Sequence, residues 1–237
     1  MKENSSMNQQ TIHSSKPLRP ALGGLTPFST VDWPERMTAT LFISGCPWRC
    51  HYCHNPHLHQ RKPELEWSDI ERFLHSRSDL LDGVVISGGE PLMEPSLPSL
   101  IGRIRDLGYE VGLHTAGIYP RRLASILPLV QWVGLDVKTL PAHYDALTLR
   151  KGSWFAVKDC LSQLKGWAGQ YECRTTWSES WLPESDLLDL ARLLKAQDVY
   201  SYSVQRYRCS PDRESSEHLS VKAQATLRSM FATFSLR

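Results

Sequence analysis

SGCPWRCHYCHN, residues 44–55, places Cys46, Cys50 and Cys53 in a C-x3-C-x2-C array. An apolar, β-rich run at 38–44, TATLFIS, leads straight into it, so the array leaves the C-terminal end of a buried strand. Three thiolates this close, with Gly45 and Pro47 shaping the backbone, make a soft-ligand set suited to an iron–sulfur cluster or to zinc. On a four-iron cubane they leave one iron without a protein ligand. Structural zinc asks for a fourth ligand, which His51, His54, His57 or His59 could supply. The chain offers no second C-x2-C pair, and the array ends a buried strand instead of pinning a loop-rich module, so the cluster is the better fit. The four histidines read as a solvated loop and receive no role.

Outward from the array, strand and helix alternate. Ser68 and Glu71 form a capping box for a helix reaching residue 76. A short strand at 84–87 is turned by SGGEP, 87–91, into a helix with Leu97, Leu100, Ile101, Ile104 and Leu107 on one face and Gly108 as its stop. Further strands are predicted at 111–115, 132–137, 171–176 and 199–205, and helices at 121–127, 156–167, 187–195 and 220–234, the last with Leu227, Met230, Phe231 and Phe234 on its face. The preceding GGLTPFSTVDWPERM, 23–37, reads as an ordered lead-in loop. Six β-α units predict an α/β fold, a partial (β/α)6 barrel of parallel strands with helices outside. Chemistry then belongs at the C-terminal strand ends, where the cysteines, Gly88-Gly89-Glu90, His114-Thr115 and Asp136-Lys138 all fall.

Composition narrows the class. The 237 residues, 41% hydrophobic and 22% charged, suffice for one large domain that buries roughly 70–75% of its unfolded surface. The 27 basic and 25 acidic residues are mixed along the chain, so no basic stripe calls for nucleic acid. No apolar window is long enough to span a membrane, and the first twenty residues lack the apolar region of a signal peptide. A disordered tail at 1–20, a single domain at 21–237 and a cytoplasmic location are expected. Six cysteines are too few for a disulfide scaffold in a chain of this length.

Strand parity adds candidates. Asp136 and Lys138 are two apart, so their side chains share the lumen face, where a charge is costly unless paired or used. The same parity groups Glu172 with Arg174 and Ser203 with Gln205. Cys160 and Cys173 read as buried core residues, and Cys209 follows the sixth predicted strand.

GCPWRCHYCHN, SGGEP and GLDVK, in this order and spacing, resemble the radical S-adenosylmethionine enzymes, in particular the activases of glycyl radical enzymes. GGLTPFSTVDWPERM resembles the lead-in of anaerobic ribonucleoside-triphosphate reductase activating proteins, and the likeness runs over about residues 23–208. The resemblance implies that Cys46, Cys50 and Cys53 ligate a [4Fe-4S] cluster whose open iron takes the amino and carboxylate groups of S-adenosylmethionine. It implies that Tyr52 packs near the adenine, that Gly88 and Gly89 approach the methionine end, and that Glu90 meets its ammonium group. Asp136 and Lys138 would contact the carboxylate or ribose. The implied partners are a glycyl radical enzyme, most naturally the anaerobic ribonucleotide reductase, and a flavodoxin-like electron donor. A radical enzyme acting on a small molecule or nucleobase precursor is the rival, and a zinc-stabilised interaction module a more distant one. Two departures stand out: His114-Thr115-Ala116-Gly117 replaces the usual D-T-N-G, and Glu35 replaces the glycine usual after Pro34. His114 and Thr115 are carried as cofactor-side candidates, a histidine being unable to reproduce the aspartate's charge.

Overall fold

β1 (Leu22–Ser29) lies antiparallel to β2 (Thr38–Ile43), and from β2 onward every strand is parallel to the next. The others are β3 (Gly83–Gly88), β4 (Glu110–Thr115), β5 (Trp132–Asp136), β6 (Gln170–Trp177), β7 (Ser201–Arg206) and β8 (Thr233–Leu236). They stand in the sheet in chain order, with β1 and β8 at its edges. The computed structural model describes residues 19–208 and 217–237; most of the expected tail, residues 1–18, and Cys209 lie outside the described residues. No described helix is long and apolar enough to cross a membrane.

The helices are α1 (Trp67–His75), α2 (Leu97–Asp106), α3 (Pro120–Ile126), α4 (Tyr144–Thr148), α5 (Ser153–Lys165), α6 (Glu184–Ala196) and α7 (Val221–Met230). Each parallel strand from β2 to β7 is followed by at least one helix, so the six expected β-α units are present. Alternation within the strands sorts the side chains. Ala39, Leu41, Ile43, Val84, Ile86, Val111, Leu113, Val133 and Leu135 join the main core with Leu97, Leu100, Ile101 and Ile104 of α2. Each buried leucine or isoleucine there contributes about 1.5–3 kcal/mol. The opposite strand faces carry Thr40, Val85, His114, Asp136 and Arg174 into the lumen.

Three expectations change. The lead-in contains a strand, because 22–29 finds an antiparallel partner in β2 that its own turn-rich composition does not advertise. The capping box does not form: α1 begins at Trp67 after Glu66, with no side-chain cap, because the indole is drawn into the first turn, where it is 6% exposed. The last helix stops at Met230, and residues up to 236 form β8 beside β7. Its start is as expected, with Ser220 Oγ accepting from Ala223 N at 3.0 Å. Phe231 and Phe234 pack on Tyr202 of β7, with ring centroids 4.9 and 6.2 Å away, and this contact outweighs the helical spacing of the sequence.

Between β1 and β2 the chain turns under the barrel and plugs the N-terminal end of the lumen. Trp33, 3% exposed, stacks on Trp132 at 5.8 Å and joins Val85 in a small core of its own. Thr40 Oγ1 donates to the Asp32 carboxylate at 2.6 Å. Glu35, where the resembling proteins carry glycine, sits at φ 62°, the left-handed region that glycine occupies without strain.

Candidate active site

The cysteine loop starts where β2 ends and is held against the chain that follows it. Gly45 N donates to Leu58 O at 2.7 Å, Cys46 N to His59 O at 3.1 Å, and Cys53 N to Cys50 O at 3.1 Å. All three cysteines are half-buried free thiols facing one cleft. Burial pushes the Cys46 thiol up to about 11 and raises that of Cys50. A metal that takes these sulfurs must displace their protons.

Gly88 and Gly89 are dictated by the chain's own backbone. A Cβ on Gly88, at φ +130°, would lie 2.1 Å from Ile43 O, and one on Gly89 would lie 2.5 Å from Gly45 O. The end of β3 can therefore close on the root of the cysteine loop, where Gly89 N donates to Ile43 O and Glu90 N to Gly45 O, each at 2.9 Å. Both glycines line the cleft.

Glu90 does not. Its side chain is fully buried and turned into the wall: Oε1 accepts from Leu92 N at 3.0 Å and Thr115 Oγ1 at 2.7 Å, and Oε2 from Ala116 N at 3.0 Å. Burial pushes this carboxyl up to about 7, although the three donors favour its charged form. In this arrangement the carboxylate holds the end of β4, Thr115-Ala116, against the β3 turn, in place of the expected direct reach to an ammonium group. A folded-state value above the ordinary 4.5 means that the folded chain binds the extra proton, so the contribution of Glu90 to stability is fully present below 4.5 and is lost as pH rises through about 7. The loss is on the order of 3 kcal/mol. Denaturant titrations of the cofactor-free protein at a series of pH values should show this slope, and Glu90→Gln should flatten it; an unchanged slope would assign it to another group.

The cleft, open to solvent, collects residues from five strand ends. Tyr52, 5% exposed, stacks on Trp181 at 5.0 Å, and Lys138 Nζ lies 5.6 Å from the Tyr52 ring centroid. Lys138 Nζ is 3.6 Å from Asp136 Oδ2, and Lys138 N donates to Tyr144 Oη at 2.8 Å. Burial disfavours the Asp136 charge, but Arg174 and Lys138 outweigh it and hold the carboxyl below its usual range. His114 and Thr115 also reach the cleft.

Cys46, Cys50, Cys53, Tyr52, Gly88, Gly89, His114, Thr115, Asp136 and Lys138 thus meet in one place, and of the expected set only Glu90 stands behind the wall. Arg174, grouped by parity only with Glu172, is as much part of the cleft as Asp136. Ser203 instead pairs with Ser235 Oγ at 2.8 Å, outside the cleft lining. Cys160 Sγ donates to Gly117 O, and Cys173 is buried in the core, as expected of both. His54 and His59 line the cleft, the former stacked on Tyr207 at 5.1 Å. Trp181 and Tyr207 join this rim from loops that carry no sequence motif.

The model of the Radical SAM superfamily matches residues 40–166, more than half of the chain and all of the cysteine loop, SGGEP and GLDVK. The chain belongs to the radical SAM superfamily. Radical SAM enzymes use a [4Fe-4S] cluster and S-adenosylmethionine, and the three thiols facing the cleft, with no fourth cysteine in its lining among the described residues, fit that pair. Among relatives, a provisionally named glycyl-radical enzyme activating enzyme of Methanocaldococcus jannaschii is 28% identical over 196 residues, covering 78% of this radical SAM chain and 79% of its own. A 7-carboxy-7-deazaguanine synthase of Methanopyrus kandleri is 35% identical over 123 residues, 43% of this chain and 48% of its own. Among solved structures, Streptococcus suis SuiB bound to S-adenosylmethionine superposes with a TM-score of 0.60 at 15% identity, over 81% of this chain; the match spans about half, 48%, of the SuiB chain. That likeness is one of fold, the radical SAM partial barrel.

Proposed function

We propose that this radical SAM enzyme is an activase that takes a hydrogen atom from a backbone glycine of a glycyl radical enzyme. The observation that carries the reading is the match to the Methanocaldococcus jannaschii relative, which extends over about four-fifths of both chains. When bound, the reduced cluster would pass one electron to the sulfonium of S-adenosylmethionine, chemistry that would supply methionine and a carbon-centred radical able to take the hydrogen. Cys46, Cys50 and Cys53 hold the cluster. Gly88, Gly89 and Thr115 form the wall beside it, Glu90 locks that wall from behind, and Asp136 and Lys138 present a carboxylate and an ammonium to the cofactor's polar end. Tyr52, stacked on Trp181, offers a flat apolar face for the adenine. The lead-in at 23–37 favours the anaerobic ribonucleotide reductase as partner, and the electron would come from a flavodoxin-like donor, both in the cytoplasm.

A second reading rests on the higher identity, over a shorter stretch, to the deazaguanine synthase: a radical enzyme acting on a small nucleobase precursor. Electron paramagnetic resonance separates the two. The reconstituted enzyme, incubated anaerobically with reductant, S-adenosylmethionine and the anaerobic ribonucleotide reductase, should generate a glycyl radical doublet on the reductase. Cofactor cleavage with no radical on that partner would remove the reductase as substrate.

A further inference from the structure

We propose that His114 and Arg174 form a positioning pair that fixes the Asp136 carboxylate in the wall of the cleft, and that an uncharged side chain at position 114 is what commits the guanidinium to Asp136. The inference rests on the reading of Asp136 as a cofactor contact. Arg174 rises from β6, with its side chain 6% exposed, and lies across β5. It can do so because residue 134 is glycine: a Cβ there would stand 3.0 Å from the guanidinium carbon and 3.1 Å from Nη1. Nε and Nη2 both donate to Asp136 Oδ1, at 3.1 and 2.8 Å. The other oxygen, Oδ2, is left facing Lys138 and the cleft. A carboxylate gripped on one oxygen by two donors of a rigid fork has little rotational freedom.

The remaining corner of the fork, Nη1, is 2.7 Å from His114 Nε2. A guanidinium is a permanent donor, so Nε2 accepts and the ring proton sits on Nδ1, which is 3.2 Å from Ser87 Oγ. Nε2 also lies 2.7 Å from the Asp32 carbonyl of the plug, a contact that only the opposite tautomer satisfies. The guanidinium and the plug therefore compete for one ring nitrogen. Burial and the adjacent guanidinium both disfavour a charged imidazole. An aspartate at this position would divide Arg174 between two carboxylates; the neutral ring ends the fork without drawing its charge from Asp136.

Two measurements test the pair. In the metal-free protein, nitrogen-15 resonances of the His114 ring should report the Nδ1–H tautomer, and Arg174→Ala should switch it to the Nε2–H form facing Asp32. In the cluster-loaded enzyme, Arg174→Ala should weaken S-adenosylmethionine binding about tenfold or more. Asp136→Asn should do likewise, and the double variant should lose no more than Asp136→Asn alone. His114→Asp should weaken binding to a similar degree, whereas neutral His114→Gln should stay within about threefold. Should Arg174→Ala fail to fold, Arg174→Lys, with its charge but no fork, gives the same comparison. An Nε2–H tautomer in the wild type, or additive losses in the double variant, overturns the proposal. A tautomer that switches in Arg174→Ala, beside a wild type that binds no S-adenosylmethionine, supports the pairing and sinks the cofactor reading of Asp136.

Discussion

Cys50→Ala should abolish formation of 5'-deoxyadenosine while leaving the fold in place. Cys50 sits mid-loop, half-buried, between Cys46 at the root and Cys53, whose backbone N donates to Cys50 O whatever side chain residue 50 carries. On the proposed ligation, removing its sulfur would leave one iron with no protein ligand, and a cubane held by two thiolates in a cleft open to water should be lost. The expected result is sub-stoichiometric iron and sulfide after anaerobic reconstitution, no cluster absorption, and no product with dithionite and S-adenosylmethionine, against an unshifted melting temperature of the metal-free protein. Cys160→Ala is the matched control: that thiol lies behind the cleft on α5, bonded to Gly117 O, and its loss costs about 1 kcal/mol without touching the cluster. One zinc per chain with no iron uptake would refute the ligand assignment.

The second large effect is on folding. Gly88→Ala places a methyl group 2.1 Å from Ile43 O and 2.4 Å from Ile43 N, in a backbone conformation, φ +130°, that side chains rarely adopt. Both clashing atoms are main chain of the neighbouring strand, so no rotamer relieves them. Either β3 detaches from β2 at its end or the cysteine loop moves. A loss of about 4 kcal/mol or more is expected, at the extreme of single substitutions. Gly102→Ala should do the opposite: that glycine lies within α2 with nothing within 4 Å of a new Cβ, and alanine there gains about 0.5–1 kcal/mol of helix propensity. Denaturant unfolding of the two variants against the wild type checks both signs; a Gly88→Ala protein of wild-type stability would mean that the strand ends are looser than the geometry states.

Why some of this was legible in the sequence follows from its physical range. C-x3-C-x2-C, SGGEP and GLDVK are local, and a strand's two-residue period carries their side chains to a common face, so the cleft could be assembled from strand ends alone. β1 and β8 are not local features. Each exists because another strand offers it hydrogen bonds, and LGGLTPFS and TFSL read as loop and helix end without that partner. Glu90 marks a different limit. Sequence places a carboxylate at the tip of β3 but not the torsions that turn it towards Leu92, Thr115 and Ala116. Arg174 was within reach of parity, yet its weight comes from Asp136 and His114, 38 and 60 residues away in the chain.

β1 closes the edge of the sheet that carries the cysteine loop. A parallel strand left bare there would present a row of unpaired amides to any other copy of the chain, and edges of that kind seed aggregation. The strand that covers it is poorly suited to being copied: Pro27 removes one donor, Gly23 and Gly24 weaken its extended form, and its register with β2 slips between Leu22 and Gly24 and again between Thr26 and Ser29. The edge of the barrel beside the cysteine loop is thereby a poor template for intermolecular pairing.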